Sequence, residues 1–108
     1  MTGMDSNETM TVEIDRDGAL VVHGDIDIAG GPILDAAIIA HELEHPLVID
    51  LGDVFFIDSS GLRSLLSATR RSQTRGTSVT LRSVGAEVAR LLQITGTADQ
   101  FIIETSRD

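Results

Sequence analysis

The sequence predicts an α/β domain that holds an open mixed sheet with a parallel centre, an N-terminal antiparallel pair of strands and three main helices. The first observation behind this prediction is that short β-branched runs alternate with segments whose apolar residues recur every three or four positions. The second is that no repeat, low-complexity tract or Pro-rich linker divides the 108 residues. We therefore expect one domain over residues 10–108, preceded by a flexible N-terminus over residues 1–9.

A β-hairpin is expected at the start of this domain. Two short runs rich in β-branched residues, 10–14 and 19–23, flank the tetrapeptide at 15–18. That tetrapeptide ends in Asp17 and Gly18, and an Asp-Gly pair can supply the positive φ angles of a tight hairpin turn. The two runs are therefore predicted to pair as antiparallel strands.

The first predicted helix leads into a central strand. The helix follows the Gly-Gly-Pro sequence at 30–32 and is ended by Pro46. The run at 47–51 is apolar and β-branched with little alternation, which is typical of a strand covered on both faces. We expect this strand to lie parallel to an earlier one.

The second half of the chain is predicted to continue with helix, strand, helix and strand. The second helix starts near Ser59, with Asp58 or Ser59 as its N-cap, and Gly76 closes it. Residues 78–82 form the next strand and residues 101–103 the last one. Four apolar residues at helical spacing mark the third helix: Val84, Val88, Leu91 and Leu92.

Composition narrows the possible functions. Seventeen acidic residues against eight arginines give a net charge of −9, which would repel nucleic acid and anionic lipid. The absence of cysteine excludes a disulfide scaffold, a thiolate metal site and a cysteine nucleophile. The first residues lack the features of a secretion signal, and the longest apolar run, 36–40, is far shorter than the roughly 20 residues of a membrane span. We expect a cytoplasmic protein with no cofactor and no nucleic-acid or membrane partner.

The candidate functional residues lie at the start of the second predicted helix. There Asp58, Ser59, Ser60 and Gly61 follow a buried strand and a short loop. A helix N-terminus presents unpaired N–H groups and a partial positive charge, which favours a phosphate by roughly 0.3 to 1 kcal/mol. The two serines are therefore either phosphoacceptors or capping residues, and their spacing allows both. Arg63 lies in the first turn, where a cation is disfavoured, so we expect it to contact a partner or the phosphate.

Several segments resemble one known family. Residues 57–62, Ile-Asp-Ser-Ser-Gly-Leu, resemble the phosphorylation motif of bacterial anti-sigma factor antagonists, which belong to the STAS-domain family. Residues 24–27 resemble the family's Gly-Glu-Leu-Asp element, and 47–51 its central strand. Residues 88–92, with Thr95 and Gly96, resemble its third helix. The resemblance covers most of residues 10–104 in the same order and implies a single STAS domain.

The resemblance also implies a partner switch. The unmodified protein would bind an anti-sigma factor with serine kinase activity and so free sigma, and serine phosphorylation would end that binding. A serine phosphatase is the further implied partner. Ser60 is the implied phosphoacceptor and Ser59 the less favoured one. The implied partner-binding residues are Asp25, Asp27, Asp58, Ser59, Ser60, Gly61 and Arg63.

Two of these expectations leave alternatives open. Asp25 stands where the family often has Glu, and Asp27 is equally well interpreted as a helix or turn cap. The same domain could instead be the interaction module of a stressosome-like scaffold or of a complex that regulates transport. Identifying a bound partner would discriminate between these functions.

Enzymatic functions are not favoured. Residues 41–45 match the zinc-protease pattern His-Glu-x-x-His, but Pro46 biases His45 away from helical geometry, so no metal site is expected. A serine hydrolase would use Ser60 as nucleophile and His23 or His41 as base, yet the Gly-x-Ser-x-Gly elbow is missing. The sequence predicts a protein that is not an enzyme.

Overall fold

In the computed structural model of the protein, residues 10–41 and 46–105 are described. They form five strands and three helices that alternate as the sequence predicts, with a short 3₁₀ turn at Ala98–Gln100 before the last strand. The N-terminal segment 1–9, predicted to be flexible, lies outside the described residues. The elements are β1 (Thr11–Ile14), β2 (Leu20–His23), α1 (Gly30–His41), β3 (Leu47–Asp53), α2 (Ser59–Thr74), β4 (Val79–Val84), α3 (Ala86–Ile94) and β5 (Ile102–Thr105).

The five strands form one mixed sheet in the order β1-β2-β3-β4-β5. The β1–β2 pair is antiparallel and the other three pairs are parallel, which confirms the predicted fold class. The predicted hairpin turn is present: Gly18 has a φ of +87°, and Asp15 N donates to Ala19 O at 3.0 Å. Because the central strands are parallel, the loops that follow β2 and β3 leave from the same edge of the sheet.

A single hydrophobic core lies on one face of the sheet. Alternate residues of the strands point into it, for example Leu20, Ile49 and Leu81, which pair across the sheet in register. All three helices cover this face, and their contributions include Leu34, Ile38, Leu62, Leu65, Val88 and Leu92. Each fully buried leucine or isoleucine stabilises the fold by roughly 1.5 to 3 kcal/mol.

Two sequence predictions about the strands are wrong. The run at 47–51 is not covered on both faces, because Val48 and Asp50 are only half-buried while Leu47, Ile49 and Leu51 are buried. Val84 ends strand β4 instead of starting the third helix, which begins at Ala86. Val84 lies four residues before Val88, and apolar residues four apart fit both a strand pattern and a helix pattern, so a residue at the junction can belong to either.

The opposite face, which we call the open face, carries charged side chains on its strands: Glu13, His23, Asp50 and Arg82. Arg82 bridges two carboxylates there. Its Nη2 lies 2.7 Å from Asp15 Oδ2 and its Nε lies 2.9 Å from Asp50 Oδ2. The hydrogen bond from Arg82 is the main reason that the pKa of Asp15 is lowered, with a bond from the backbone N–H of Ala19 next in importance.

Candidate functional site

The two loops that leave the same edge of the sheet are joined to each other. Ile26 N donates to Phe56 O at 3.0 Å, and Asp58 N donates to Ile26 O at 3.0 Å. These bonds make a short parallel bridge between Ile26 and Ile57, outside the main strands. We call the joined segments, residues 24–31 and 54–61, the loop corner. The resemblance placed nearly all of its implied site residues here, and the fold brings them together.

Asp58 caps helix α2. Its Oδ1 accepts hydrogen bonds from Ser60 N at 2.8 Å and Gly61 N at 3.1 Å, and its backbone is extended. The sequence had left the cap open between Asp58 and Ser59, and the structure assigns it to Asp58. An aspartate at this position also places a negative charge at the positive end of the helix. Ser59 is therefore the first residue of the helix and not its N-cap.

Gly61 allows α2 to approach the bridge between the two loops. A Cβ atom at this position would lie 2.5 Å from Ile26 Cγ2 and 2.8 Å from Ile57 Cγ2. Such distances are far inside van der Waals contact, so no larger residue fits without moving the helix. The glycine after the two serines thus holds the start of α2 against the core.

Ser60 faces helix α1. It is half-buried and lines a groove of about 250 Å³ between α1 and α2, together with Gly31, Asp35 and Arg63. The buried Ser64 hydroxyl lies 3.3 Å from both Gly31 O and Ser60 O, and so ties the starts of the two helices together. Arg63 is exposed at the edge of this groove.

Ser59 differs from Ser60 in exposure. It is the first residue of α2 and its side chain is exposed, whereas Ser60 packs beside α1. Both hydroxyl groups lie within one turn of the helix N-terminus, where a phosphate is favoured. The local geometry therefore offers one freely accessible and one partly shielded hydroxyl.

Asp25 and Asp27 accept hydrogen bonds from the backbone of the corner. Asp27 Oδ1 accepts from Gly30 N at 3.0 Å, at the start of α1, in agreement with its interpretation as a helix or turn cap. Asp25 Oδ1 accepts from Phe55 N and Phe56 N, both at 3.2 Å. This second arrangement was not predictable from the sequence, because the partners lie about thirty residues away. Both aspartates are exposed, so their remaining oxygens face solvent.

Two exposed phenylalanines form a part of the corner that sequence reasoning missed. The side chains of Phe55 and Phe56 are 75% and 55% exposed, and Ile94 on α3 is 71% exposed. Together with Leu91 they border a groove of about 210 Å³ between the corner and α3. A signal was present in the sequence, since the chain has only three phenylalanines and two of them are adjacent in a loop. Apolar patches of this kind mark interaction sites.

The geometry does not support a serine hydrolase. His23 Nδ1 lies 2.8 Å from Asp53 Oδ2 and its Nε2 lies 2.7 Å from Glu13 Oε2, so both ring nitrogens already have carboxylate partners. The pKa of His23 is raised, first by the hydrogen bond to Asp53 and then by that to Glu13. His41 ends α1, ten residues after the Gly31 that faces Ser60, which corresponds to about 15 Å along the helix.

The His-Glu-x-x-His pattern cannot be followed through the structure. Its first residue, His41, is the last residue of α1, and residues 42–45 lie outside the described part of the chain. No helix within residues 10–41 and 46–105 has the length and apolar character needed to cross a bilayer.

The fold and the corner together define the class of protein. The family model of the STAS domain matches residues 8–108, so the chain belongs to the STAS-domain family. A crystal structure of an anti-sigma factor antagonist from Mycobacterium paratuberculosis is 32% identical to this chain, with a TM-score of 0.73, and the match covers 97% of this chain and 93% of that one.

Two more distant structures share the fold. The anti-sigma factor antagonist SpoIIAA in its unphosphorylated form is 18% identical, with a TM-score of 0.69 over 90% of this chain and 89% of that chain. A sulfate transporter family protein from Wolinella succinogenes is 20% identical, with a TM-score of 0.63 over 82% of this chain and 79% of that one. No curated protein sequence matches this chain.

Proposed function

We propose that this protein is an anti-sigma factor antagonist that works by partner switching in the bacterial cytoplasm. In its unphosphorylated form it binds an anti-sigma factor with serine kinase activity, which frees sigma for transcription. Phosphorylation on serine releases the anti-sigma factor, and a serine phosphatase reverses the modification. The supporting observation is the serine pair at the capped start of α2, in a chain 32% identical to an anti-sigma factor antagonist along nearly its whole length.

The resemblance implies Ser60 as the phosphoacceptor and Ser59 as the less favoured one, and we propose that order for this protein. A kinase has to bring the γ-phosphoryl group of ATP into line with the acceptor hydroxyl, which requires open space around that oxygen. Ser59 is exposed, and the half-buried Ser60 lines the open groove between α1 and α2 beside Arg63. We therefore assign the phosphoryl group to the serine pair, with Ser60 ahead of Ser59.

Charge supplies a mechanism for release. A phosphoserine adds about −1.5 to −2 charges at pH 7. At Ser60 this charge lies two residues after Asp58, and the chain already has a net charge of −9. The N-terminal end of α2 favours a phosphate, so the protein itself stays folded. A partner surface packed against the corner would meet both the added charge and the added bulk.

The size of this effect can be bounded. Loss of a few kcal/mol from the complex corresponds to a drop in affinity of about 10²-fold or more, at roughly 1.4 kcal/mol per tenfold change. Arg63 lies one turn after the serine pair and is exposed. Its guanidinium is suited to the phosphate or to a partner carboxylate, because it donates two parallel hydrogen bonds.

A second candidate function is an interaction module in a larger complex. The similarity to a sulfate transporter family protein shows that this fold also occurs in transport proteins. In that case the domain would bind a permease or a scaffold through the same corner, with or without phosphorylation. The identity of the bound partner separates the two functions.

The test is to purify the tagged protein from its native bacterium and identify what comes with it. A serine kinase that also binds a sigma factor supports the proposed function, and a permease or large scaffold supports the second candidate. The purified kinase and ATP are then added to wild type, Ser59→Ala and Ser60→Ala, and the phosphopeptides are mapped. We expect one phosphate, lost in Ser60→Ala and retained in Ser59→Ala. Equal affinity of the kinase for the unmodified and phosphorylated forms would contradict the switch.

A further inference from the structure

We propose that Asp25 is a positioning residue of the partner-binding surface. Its carboxylate holds the segment of Phe55 and Phe56 in the conformation that presents both phenylalanine side chains to the anti-sigma factor. This inference rests on the proposed function, because it assigns the two phenylalanines to the surface that the anti-sigma factor contacts. Asp25 itself then acts through the backbone and not through its charge.

Phe55 and Phe56 lie outside the named strands, between the end of β3 and the bridge at Ile57. Val54 N donates to Leu51 O and Asp58 N donates to Ile26 O, so both ends of the segment are held by backbone acceptors. Between these ends, Phe55 N and Phe56 N both donate to one oxygen of Asp25, at 3.2 Å each. A single carboxylate oxygen therefore fixes two successive residues.

The loop that carries Asp25 is fixed on either side of it. Gly24 N donates to Asp53 O at 3.3 Å, and Ile26 N donates to Phe56 O at 3.0 Å. Asp25 thus lies between two bonds that join its loop to the β3–α2 segment. Because its own position is defined, its side chain can define the position of the phenylalanines.

The presented surface is apolar. Phe55 and Phe56 are mostly exposed, and they border the groove with Leu91 and Ile94 of α3. Two large apolar side chains held outside the core lose hydrophobic free energy that contact with a partner would recover. The groove continues the corner that holds Ser59, since the same segment leads from the phenylalanines into α2. A partner seated on Ser59 therefore reaches the phenylalanines too.

Two substitutions separate positioning from charge. Asp25→Asn keeps an oxygen that accepts both N–H groups and removes the charge, and its NH₂ group can face water because Asp25 is exposed. Asp25→Ala removes the acceptor as well as the charge. The control is Asp17→Asn, an exposed aspartate in the β1–β2 turn at the opposite end of β2.

The first measurement needs no partner. Amide hydrogen exchange at Phe55 and Phe56 is compared among these variants by NMR, together with the free energy of unfolding. We expect exchange at these two amides to rise about tenfold or more in Asp25→Ala, because a lost hydrogen bond of about 1.4 kcal/mol corresponds to that factor. In Asp25→Asn and Asp17→Asn the exchange rate stays within about threefold of wild type, and the free energy of unfolding changes little in these two variants.

The second measurement is the affinity for the anti-sigma factor that co-purifies with wild type. We expect Asp25→Ala to bind about tenfold more weakly and Asp25→Asn to bind within about threefold of wild type. An equal loss of affinity in Asp25→Asn and Asp25→Ala would overturn the proposal in favour of a direct charge contact. Wild-type affinity in both variants would also overturn it. If no anti-sigma factor binds wild type, the proposed function fails, while unchanged exchange in Asp25→Ala overturns the positioning role by itself.

Discussion

Carboxylates at the loop corner and on the open face accept hydrogen bonds from different kinds of donor. At the corner, Asp25, Asp27 and Asp58 accept only from backbone N–H groups in the bonds described above. On the open face, the carboxylates pair with the cationic or titratable side chains of Arg82 and His23, and Asp15 and Asp50 accept from backbone N–H groups as well. Backbone N–H groups are always present and neutral, whereas these side-chain pairs depend on protonation and salt.

This difference separates two roles within one domain. The corner carboxylates fix the starts of α1 and α2 and the Phe55 and Phe56 segment, so they set the shape of the candidate site. The open-face pairs join β1 and the turn after it to β2, β3 and β4 across the sheet, so they contribute to stability in a way that depends on pH. Changes at the corner should therefore alter partner binding, and changes on the open face should alter only stability.

The largest effect on the corner is expected from Gly61→Ala. The new methyl group would overlap Ile26 and Ile57, and overpacking of this kind costs about 1 to 3 kcal/mol. The free energy of unfolding in urea measures this, and partner affinity should fall as well. The control is Gly31→Ala, where a Cβ would meet ordinary contacts of 3.6 to 3.7 Å. Equal stability of these two variants would show that the close approach of α2 is not required.

Phe55→Ala is expected to weaken partner binding without destabilising the protein. The side chain is 75% exposed, so its removal costs little in the folded protein but takes a large apolar surface from the interface. We expect the affinity for the anti-sigma factor to fall about tenfold, measured by calorimetry, with an unchanged melting temperature. Ile39→Ala is the matched control, since Ile39 is an exposed apolar residue near the far end of α1. If both variants bind like wild type, the phenylalanines lie outside the interface.

Arg82→Met is expected to lower the melting temperature by a few degrees while leaving partner binding unchanged. It leaves the Asp15 and Asp50 carboxylates without their shared cation. The folded-state pKa of Asp15 is lowered below 3.8, so its share of this stability is present above pH 3.8 and disappears as pH falls through the folded-state value. Thermal melts from pH 7 to pH 3 should show that the difference in melting temperature between Arg82→Met and wild type becomes smaller in acid. Arg90→Met, with the same charge change on exposed α3, should show no such narrowing.

The smallest effect is expected at His23. Its folded-state pKa lies above 6.5, so its contribution is fully present below pH 6.5 and is lost as pH rises through the folded-state value. The stability of wild type relative to His23→Gln should therefore be greatest below pH 6.5 and decline above it. NMR titration of the ring gives the pKa directly, and Asp53→Asn should lower it. A His23 pKa at or below 6.5 would contradict the two carboxylate contacts.

The order of the elements could be predicted because its signals are local. The Asp-Gly turn comes just before β2, Pro46 comes directly before β3, and Gly76 comes just after α2. Each signal lies within a few residues of the element that it bounds. The capped start of α2 was also predictable, since Asp58 bonds only to residues two and three positions away. The assignment of Val84 to a strand and the exposure of one face of β3 were not predictable, because both depend on what packs against the strand from elsewhere in the chain.

The sequence by itself determined the α/β fold class, the hairpin, the start of α2 and the serine pair as a candidate modification site. Only the tertiary structure decided which serine is exposed, where Phe55 and Phe56 lie, and what Asp25 holds. The physical reason is the range of the interactions. Caps and turns join residues two to four positions apart, whereas the bonds from Phe55 and Phe56 to Asp25 exist only once β2 and β3 lie side by side in parallel.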